Sequence, residues 1–263
     1  MAERLINPLL NIQNGKKYKE MIIINPYRFI LFNLTDIKLK YDAGDPASYL
    51  GSGTTVNDIS GNGLTATLGS AVTYDSANGG SFVFTSASSS NSFLKTVSTI
   101  PINWGTSNFT VSLWFNANNA ALINQCVFSS EGGSDTPQFR LVLSEGFANK
   151  LMFIQKDASF LTPYPFRNTS TTINSTTWYN VVIVRTGLIY SFYLNGVFDG
   201  STTATGNVNI TGALLAPVTF GNRPDGTSLP FTGKIALPLI YIRGWSSDEV
   251  TSYYNSTKSR FGY

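Results

Sequence analysis

The chain has 263 residues, no histidine, one cysteine (Cys126), and a charged fraction of 13 % where about 25 % is usual. Those absences exclude imidazole general-base chemistry, Ser-His and Cys-His nucleophiles, zinc sites of the usual His/Cys kind and an internal disulfide. Phe at 18, Tyr at 13 and Gly at 23 describe β-strands joined by polar turns, in one large β domain or two small ones.

Residues 1–37 have no steady period. Apolar clusters (Leu5-Ile6, Leu9-Leu10, Met21 to Ile24, Phe29 to Phe32) alternate with Asn, Pro and Lys, which predicts an extended arm whose apolar clusters need another surface to cover them. The net charge of +3 is concentrated here: Arg4, Lys16, Lys17, Lys19, Arg28, Lys38 and Lys40 face only Glu3, Glu20 and Asp36. A solvated arm and an arm lying on an acidic partner both fit that imbalance. No basic stripe interleaves with aromatics, so nucleic acid is not an expected partner. The opening Met1-Ala2-Glu3-Arg4 carries an acid and is followed by Asn7, Pro8 and Asn11, which is not the pattern of a signal peptide. Met21 to Ile24 is too short to span a bilayer, so no membrane is expected either.

From residue 38 the period becomes two. Phe109, Val111, Leu113 and Phe115 alternate with Thr110, Ser112 and Trp114; Phe139, Leu141 and Leu143 with Arg140 and Val142; Tyr190, Phe192 and Leu194 with Ser191 and Tyr193. Val181 to Val184 and Ile235 to Ile242 are continuous apolar runs, as in strands buried on both faces. Gly/Asn/Ser/Asp clusters punctuate these segments at Gly51, Gly61, Gly132 and Pro224. Asn195-Gly196 between apolar runs demands a type I′ hairpin turn. Pro238 places its strand at an edge or a bulge, and Cys126, beside Val127 and Phe128, reads as a small buried hydrophobe. Near the end, Ser246-Ser247-Asp248-Glu249 matches a capping box, with Val250, Tyr253 and Tyr254 following at helical spacing. The pattern predicts an antiparallel sandwich with one short C-terminal helix.

An ordered series of segments then carries a resemblance: Leu39-Lys40-Tyr41-Asp42-Ala43-Gly44-Asp45-Pro46, Asn57-Asp58-Ile59-Ser60-Gly61-Asn62-Gly63, Gly79-Gly80-Ser81-Phe82-Val83-Phe84, Asn108 to Phe115, Trp178 to Val182, Tyr193 to Gly196, and Gly233-Lys234-Ile235 through Arg260-Phe261-Gly262. Residues 38–263 resemble concanavalin A-like (laminin G / pentraxin-type) domains, in the variant found in structural proteins of tailed phages. The resemblance implies an all-β antiparallel jelly-roll sandwich with a short C-terminal helix behind an N-terminal arm of residues 1–37. It also implies a non-enzymatic virion protein, in which the arm contacts other virion proteins and the jelly roll forms homo-oligomers and binds host surface glycans. Capsid decoration, head fibre and tail-borne receptor binding stay open within that expectation, with a secreted carbohydrate-binding module as the rival.

Relatives of this type use the Asp58 to Gly63 loop to hold calcium, which makes Asp58 and Asn62 the metal candidates. The second half of that site, after Gly233-Lys234-Ile235, lacks its usual carboxylates here, so the expected cofactor is none. Glucanases of the same fold need two carboxylates across a cleft. After residue 40 the glutamates are Glu131, Glu145 and Glu249, and none opens the paired run those enzymes use. Sugar platforms combine an exposed ring with amide hydrogen bonds. The loop aromatics Trp104, Tyr164, Phe166 and Trp245 are the candidates, Trp114 and Trp178 being assigned to the core. Trp245 fits better beneath the helix, and the Phe160 to Phe166 loop fits a subunit contact better than a binding surface.

Overall fold

The computed structural model describes residues 11–13, 16–18, 21–25, 28–32 and 34–263, apart from 86–90, 100, 101, 103, 132–137, 157–165, 207–216 and 225–228. In chain order its strands are β1 (Asn11–Gln13), β2 (Lys16–Tyr18), β3 (Met21–Asn25), β4 (Arg28–Phe32), β5 (Ile37–Lys40), β6 (Thr55–Val56), β7 (Ala66–Leu68), β8 (Val72–Asp75), β9 (Ser81–Phe84) and β10 (Leu94–Thr99). There follow β11 (Phe109–Ala117), β12 (Gln125–Ser129), β13 (Gln138–Leu143), β14 (Leu151–Lys156), β15 (Phe166–Asn168), β16 (Trp178–Thr186), β17 (Ile189–Leu194), β18 (Val197–Thr203), β19 (Pro217–Phe220) and β20 (Gly233–Tyr241). Helix α1 (Ser247–Thr257) runs into a 3-10 turn, Lys258–Phe261.

The first strands depart from a wholly extended arm. β1 pairs with β2, and β3 with β4 from Met21↔Phe32 to Asn25↔Arg28. Pairing two β-branched and aromatic runs satisfies backbone groups that a lone extended segment leaves to solvent. The other strands build two antiparallel sheets. One runs β18-β17-β16-β11-β20-β9-β8 with β5 beside β20, and the other β15-β14-β13-β12-β19-β10-β7-β6. This is the sandwich that the period-two segments predict. Phe109, Val111, Leu113 and Phe115 of β11 enter the core between the sheets with Phe128, Phe139, Leu141, Phe153 and Phe220. Cys126, Trp114 and Trp178 are buried.

The outer face of the first sheet is covered as well. Val182, Val184, Tyr193, Leu239 and Tyr241 pack under α1 with Trp245, Val250 and Tyr253. Trp114 packs with Trp178 and Phe261 in a separate cluster. The α1 N-terminus carries the reciprocal capping box of Ser246 and Glu249, which supplies partners for two otherwise unpaired N–H groups. Asn195 and Gly196 adopt φ of 50° and 76° between the paired Leu194 and Val197, as a type I′ turn requires. Pro238 lies in the central strand β20, not at an edge. The register slips between Ser112↔Leu239 and Trp114↔Ala236, so Leu237 and Pro238 together oppose Leu113, a bulge that removes the need for a proline N–H. Among the described residues no helix is long and apolar enough to cross a membrane.

Candidate binding surface

Two of the aromatic candidates are corrected by their burial. Trp104 is 1 % exposed; its ring stacks on Phe139 at 4.4 Å and 18°, and its Nε1 donates to Ser130 Oγ at 3.1 Å. Trp245 is 3 % exposed and packs edge-on to Tyr241 beneath α1, against Tyr253. Both come from short connections that fold back over an end or a face of the sandwich. Large rings there bury more area inward than they could offer to a ligand. Tyr164 lies outside the described residues. Phe166 belongs to β15, paired with Ile154, and its side chain lies outside them too.

The metal candidates hold their own loop together. The Asp58 carboxylate accepts from the backbone N–H groups of Lys40 (3.0 Å), Ser60 (2.9 Å) and Leu64 (3.1 Å) and from Ser60 Oγ (2.7 Å). Asn62 Nδ2 donates to the carbonyls of Ile37 and Lys38. Calcium needs roughly six to eight oxygens, and a single carboxylate ringed by N–H donors does not fit it. This loop ties β5 to the turn before β7.

The glutamates are equally committed. Glu131 has a fully buried side chain paired with Arg223 and, at 3.8 Å, with Arg140. Arg140 also holds Glu145 at 2.7 Å. Glu249 accepts from Ser246 N–H and pairs with Arg243 at 2.8 Å. Burial, with Glu131 nearby, pushes the Cys126 thiol up and keeps it protonated.

An accessible, structured surface forms instead at one end of the sandwich, from the loops β11–β12 (residues 118–124), β13–β14 (144–150) and β15–β16 (169–177). Phe147 and Ile123 stand out at 62 % and 68 % exposure, with Leu122 beside Ile123. The loops beneath are tightly bonded. Buried Ser144 donates its Oγ to Ala120 O (2.6 Å) and accepts there from Asn149 N–H (2.7 Å). Ser175 Oγ accepts from Ala120 N–H at 2.9 Å. Buried Gln125 bonds the carbonyls of Asn119 and Leu122 and, through its oxygen, Thr232. Of the eight non-glycine residues with positive φ among those described, Asn124, Ser144, Asn149 and Thr176 fall in these loops. Such conformations cost free energy, especially for β-branched Thr, and persist only where the surroundings enforce them. The amides of Asn118, Asn124 and Asn174 are exposed. Sequence reading missed Phe147; the available signal was an aromatic beside Gly146 directly after an alternating strand.

Other exposed apolar side chains among the described residues include Leu50, Val97, Ile242 and Tyr263, and a group at the β17–β18 edge: Leu188, Ile189, Val197 and Phe198. Phe198, on edge strand β18, leans on Tyr193 at 5.6 Å.

Residues 88–251, more than half of the chain, match the family model of the concanavalin A-like lectin/glucanases superfamily. Similar solved structures include the binding domain of Paraclostridial Mosquitocidal Protein 1, at 19 % identity and a TM-score of 0.63, covering 85 % of this chain and 52 % of that one. Domain 4 of AbnA, an extracellular arabinanase of Geobacillus stearothermophilus solved with arabinotriose, matches at 17 % identity and a TM-score of 0.61, covering 82 % and 97 %. The botulinum neurotoxin serotype D ligand-binding domain, solved with N-acetylneuraminic acid, matches at 16 % and 0.61, covering 85 % and 51 %. The chain thus spans about half the length of the two toxin domains. No curated protein matches it.

Proposed function

The chain belongs to the concanavalin A-like lectin/glucanases superfamily, and from that premise we propose that it is a non-enzymatic binding module that recognises surface glycans through the Phe147 end of its sandwich. The observation that carries this reading is the exposed Phe147 ring on one of three loops that hydrogen bonds join together and that also carry exposed asparagines. An apolar ring face accepts the C–H face of a sugar, while amides serve its hydroxyls as donor and acceptor. Preorganised loops lose little freedom on binding. The ion-paired states of Glu131, Glu145 and Glu249 support binding over hydrolysis, which needs an accessible acid and a second carboxylate facing it.

The setting we propose is a virion. The resemblance of the ordered series of segments to phage structural proteins supports it, as do the apolar clusters within residues 1–37, which would seat the jelly roll on other virion proteins as a homo-oligomer. A secreted carbohydrate-binding module is the second reading, favoured by the likeness to a whole arabinanase domain.

The test compares monomeric protein with the same protein on a multivalent scaffold, on glycan arrays and on cells. Weak monovalent binding that display strengthens by roughly 10²-fold or more, and that Phe147→Ala abolishes, is expected. A multimer that binds no cell and no glycan would leave a purely structural role, bracing or decorating the particle, as the better account.

A further inference from the structure

Resting on that reading, we propose that Ser144 is the positioning residue of the Phe147 surface. Its hydroxyl, rather than the backbone bend on which it sits, fixes the loop that carries the ring. Ser144 directly follows β13, and its N–H donates to Lys150 O at 2.8 Å, which closes the loop of residues 145–149. The residue is 2 % exposed, and its hydroxyl serves as donor and acceptor at once. Oγ accepts from Asn149 N–H at 2.7 Å, near the other end of the loop, and donates to Ala120 O at 2.6 Å, in the loop between β11 and β12. Ala120 N–H is held in turn by Ser175 Oγ at 2.9 Å, and Asn149 O accepts from Ile173 N–H at 2.8 Å. The three loops are thus joined through the two peptides that this one oxygen atom bridges.

The choice of serine supports that role. Ser144 has a φ of 59°, an angle that glycine takes without strain and that other residues rarely adopt. The bend alone is served better by glycine, as at Gly146 with φ of 77°. The hydroxyl accounts for a serine here: alanine offers neither donor nor acceptor, and asparagine carries the two on separate atoms of a longer side chain. Phe147 stands at the exposed tip, residues 146–148. Its position relative to Ile123 and the exposed Asn118 on the neighbouring loop is therefore set at the base, where Ser144 bonds. A loop released there has to be ordered again by each ligand, which costs affinity. Ser144 acts through the loop and need not touch the saccharide.

The experiment puts full-length wild type, Ser144→Ala, Ser144→Gly and Phe147→Ala on the multivalent scaffold, against arrayed neutral and acidic oligosaccharides and against cells. Ser144→Gly keeps the bend and removes the hydroxyl. Both Ser144 variants should bind at least roughly tenfold more weakly than wild type, with the circular dichroism of the sandwich unchanged. Hydrogen exchange separates positioning from general stability. In the variants the amides of Asn149 and Ile173 should lose protection while those of β11 and β16 keep theirs. In wild type the Asn149 amide should exchange at least roughly tenfold more slowly than those of residues 146–148, and equal exchange overturns the inference without any variant. Loss of protection throughout the sandwich would make the role purely structural and overturns it too. Wild-type binding by Ser144→Gly assigns the geometry to the backbone angle, and wild-type binding by both variants removes Ser144 from the site. Either result overturns the inference and, where Phe147→Ala loses binding, leaves the glycan-binding reading standing. No binding by wild type, or undiminished binding by Phe147→Ala, overturns both.

Discussion

Replacement of Trp114 by alanine tests how the outer face of the first sheet is held. Its ring is fully buried, stacked on Phe261 at 4.2 Å and 20° and on Tyr254 at 5.6 Å, and its Nε1 donates to Thr257 Oγ1 at 3.1 Å. It therefore pins the last turn of α1 and the following 3-10 turn onto β11. Aromatic-to-alanine changes in cores cost about 3–5 kcal/mol. The stacked pairs, each worth about 0.5–1.5 kcal/mol beyond burial, and a net hydrogen bond of about 1 kcal/mol place this site in the upper half of that range. Thr257 Oγ1 also bonds Tyr253 O, so losing the indole does not strand it. At about 2–4 °C per kcal/mol for a domain of this size, the melting temperature should fall by roughly 8–20 °C. Urea titration followed by circular dichroism, with the slope m unchanged, gives the free energy. A loss below 1 kcal/mol would mean that the C-terminal segment does not cover this ring, and the packing described for it would be wrong.

Asp58→Ala leaves the N–H groups of Lys40, Ser60 and Leu64 without their shared acceptor and should cost about 1–3 kcal/mol, while the wild-type melting temperature should be the same in calcium and in chelator, both read by thermal denaturation. Burial draws the Glu249 carboxyl upward, but hydrogen bonds from Arg243 and Ser246 outweigh it and hold it below its ordinary 4.5; Asp75 is held down chiefly by Lys234. Depressed folded values contribute stability that is complete above the unfolded values and is lost as pH falls through the folded ones. Stability curves between pH 6 and 2.5 should therefore converge for wild type and Glu249→Gln at the acid end, and a constant gap between them would refute the assignment. Ser246→Ala, which removes the other half of the capping box, should cost about 0.5–2 kcal/mol in the same denaturation assay.

What the sequence made legible was what short-range physics decides. The alternation of Phe109 to Phe115, the Asn195-Gly196 turn and the Ser246–Glu249 cap each depend on residues within a turn or strand of one another, and each stands as read. Pro238 was half legible: its missing N–H demanded an irregularity, but only the long-range pairing of β20 with β11 shows a bulge in a central strand. The candidates Trp104, Trp245 and Asp58 depart from their reading for the same reason. Whether a loop ring such as Trp104 turns inward depends on Phe139, far along the chain, and Asp58 reads as a cation ligand until the N–H groups of Lys40 and Leu64 are seen pointing at it. Phe147 was hidden because three loops distant in sequence make its setting.

The most direct measurement of the central claim is chemical-shift mapping on labelled protein, titrated with the tightest-binding oligosaccharide from the arrays. The largest changes should fall in residues 118–124, 144–150 and 169–177, with Phe147 at their centre. Changes centred on the Asp58 to Gly63 loop, or on the outward face of the second sheet around Arg140 and Ser129, would contradict the placement of the binding surface at this end of the sandwich.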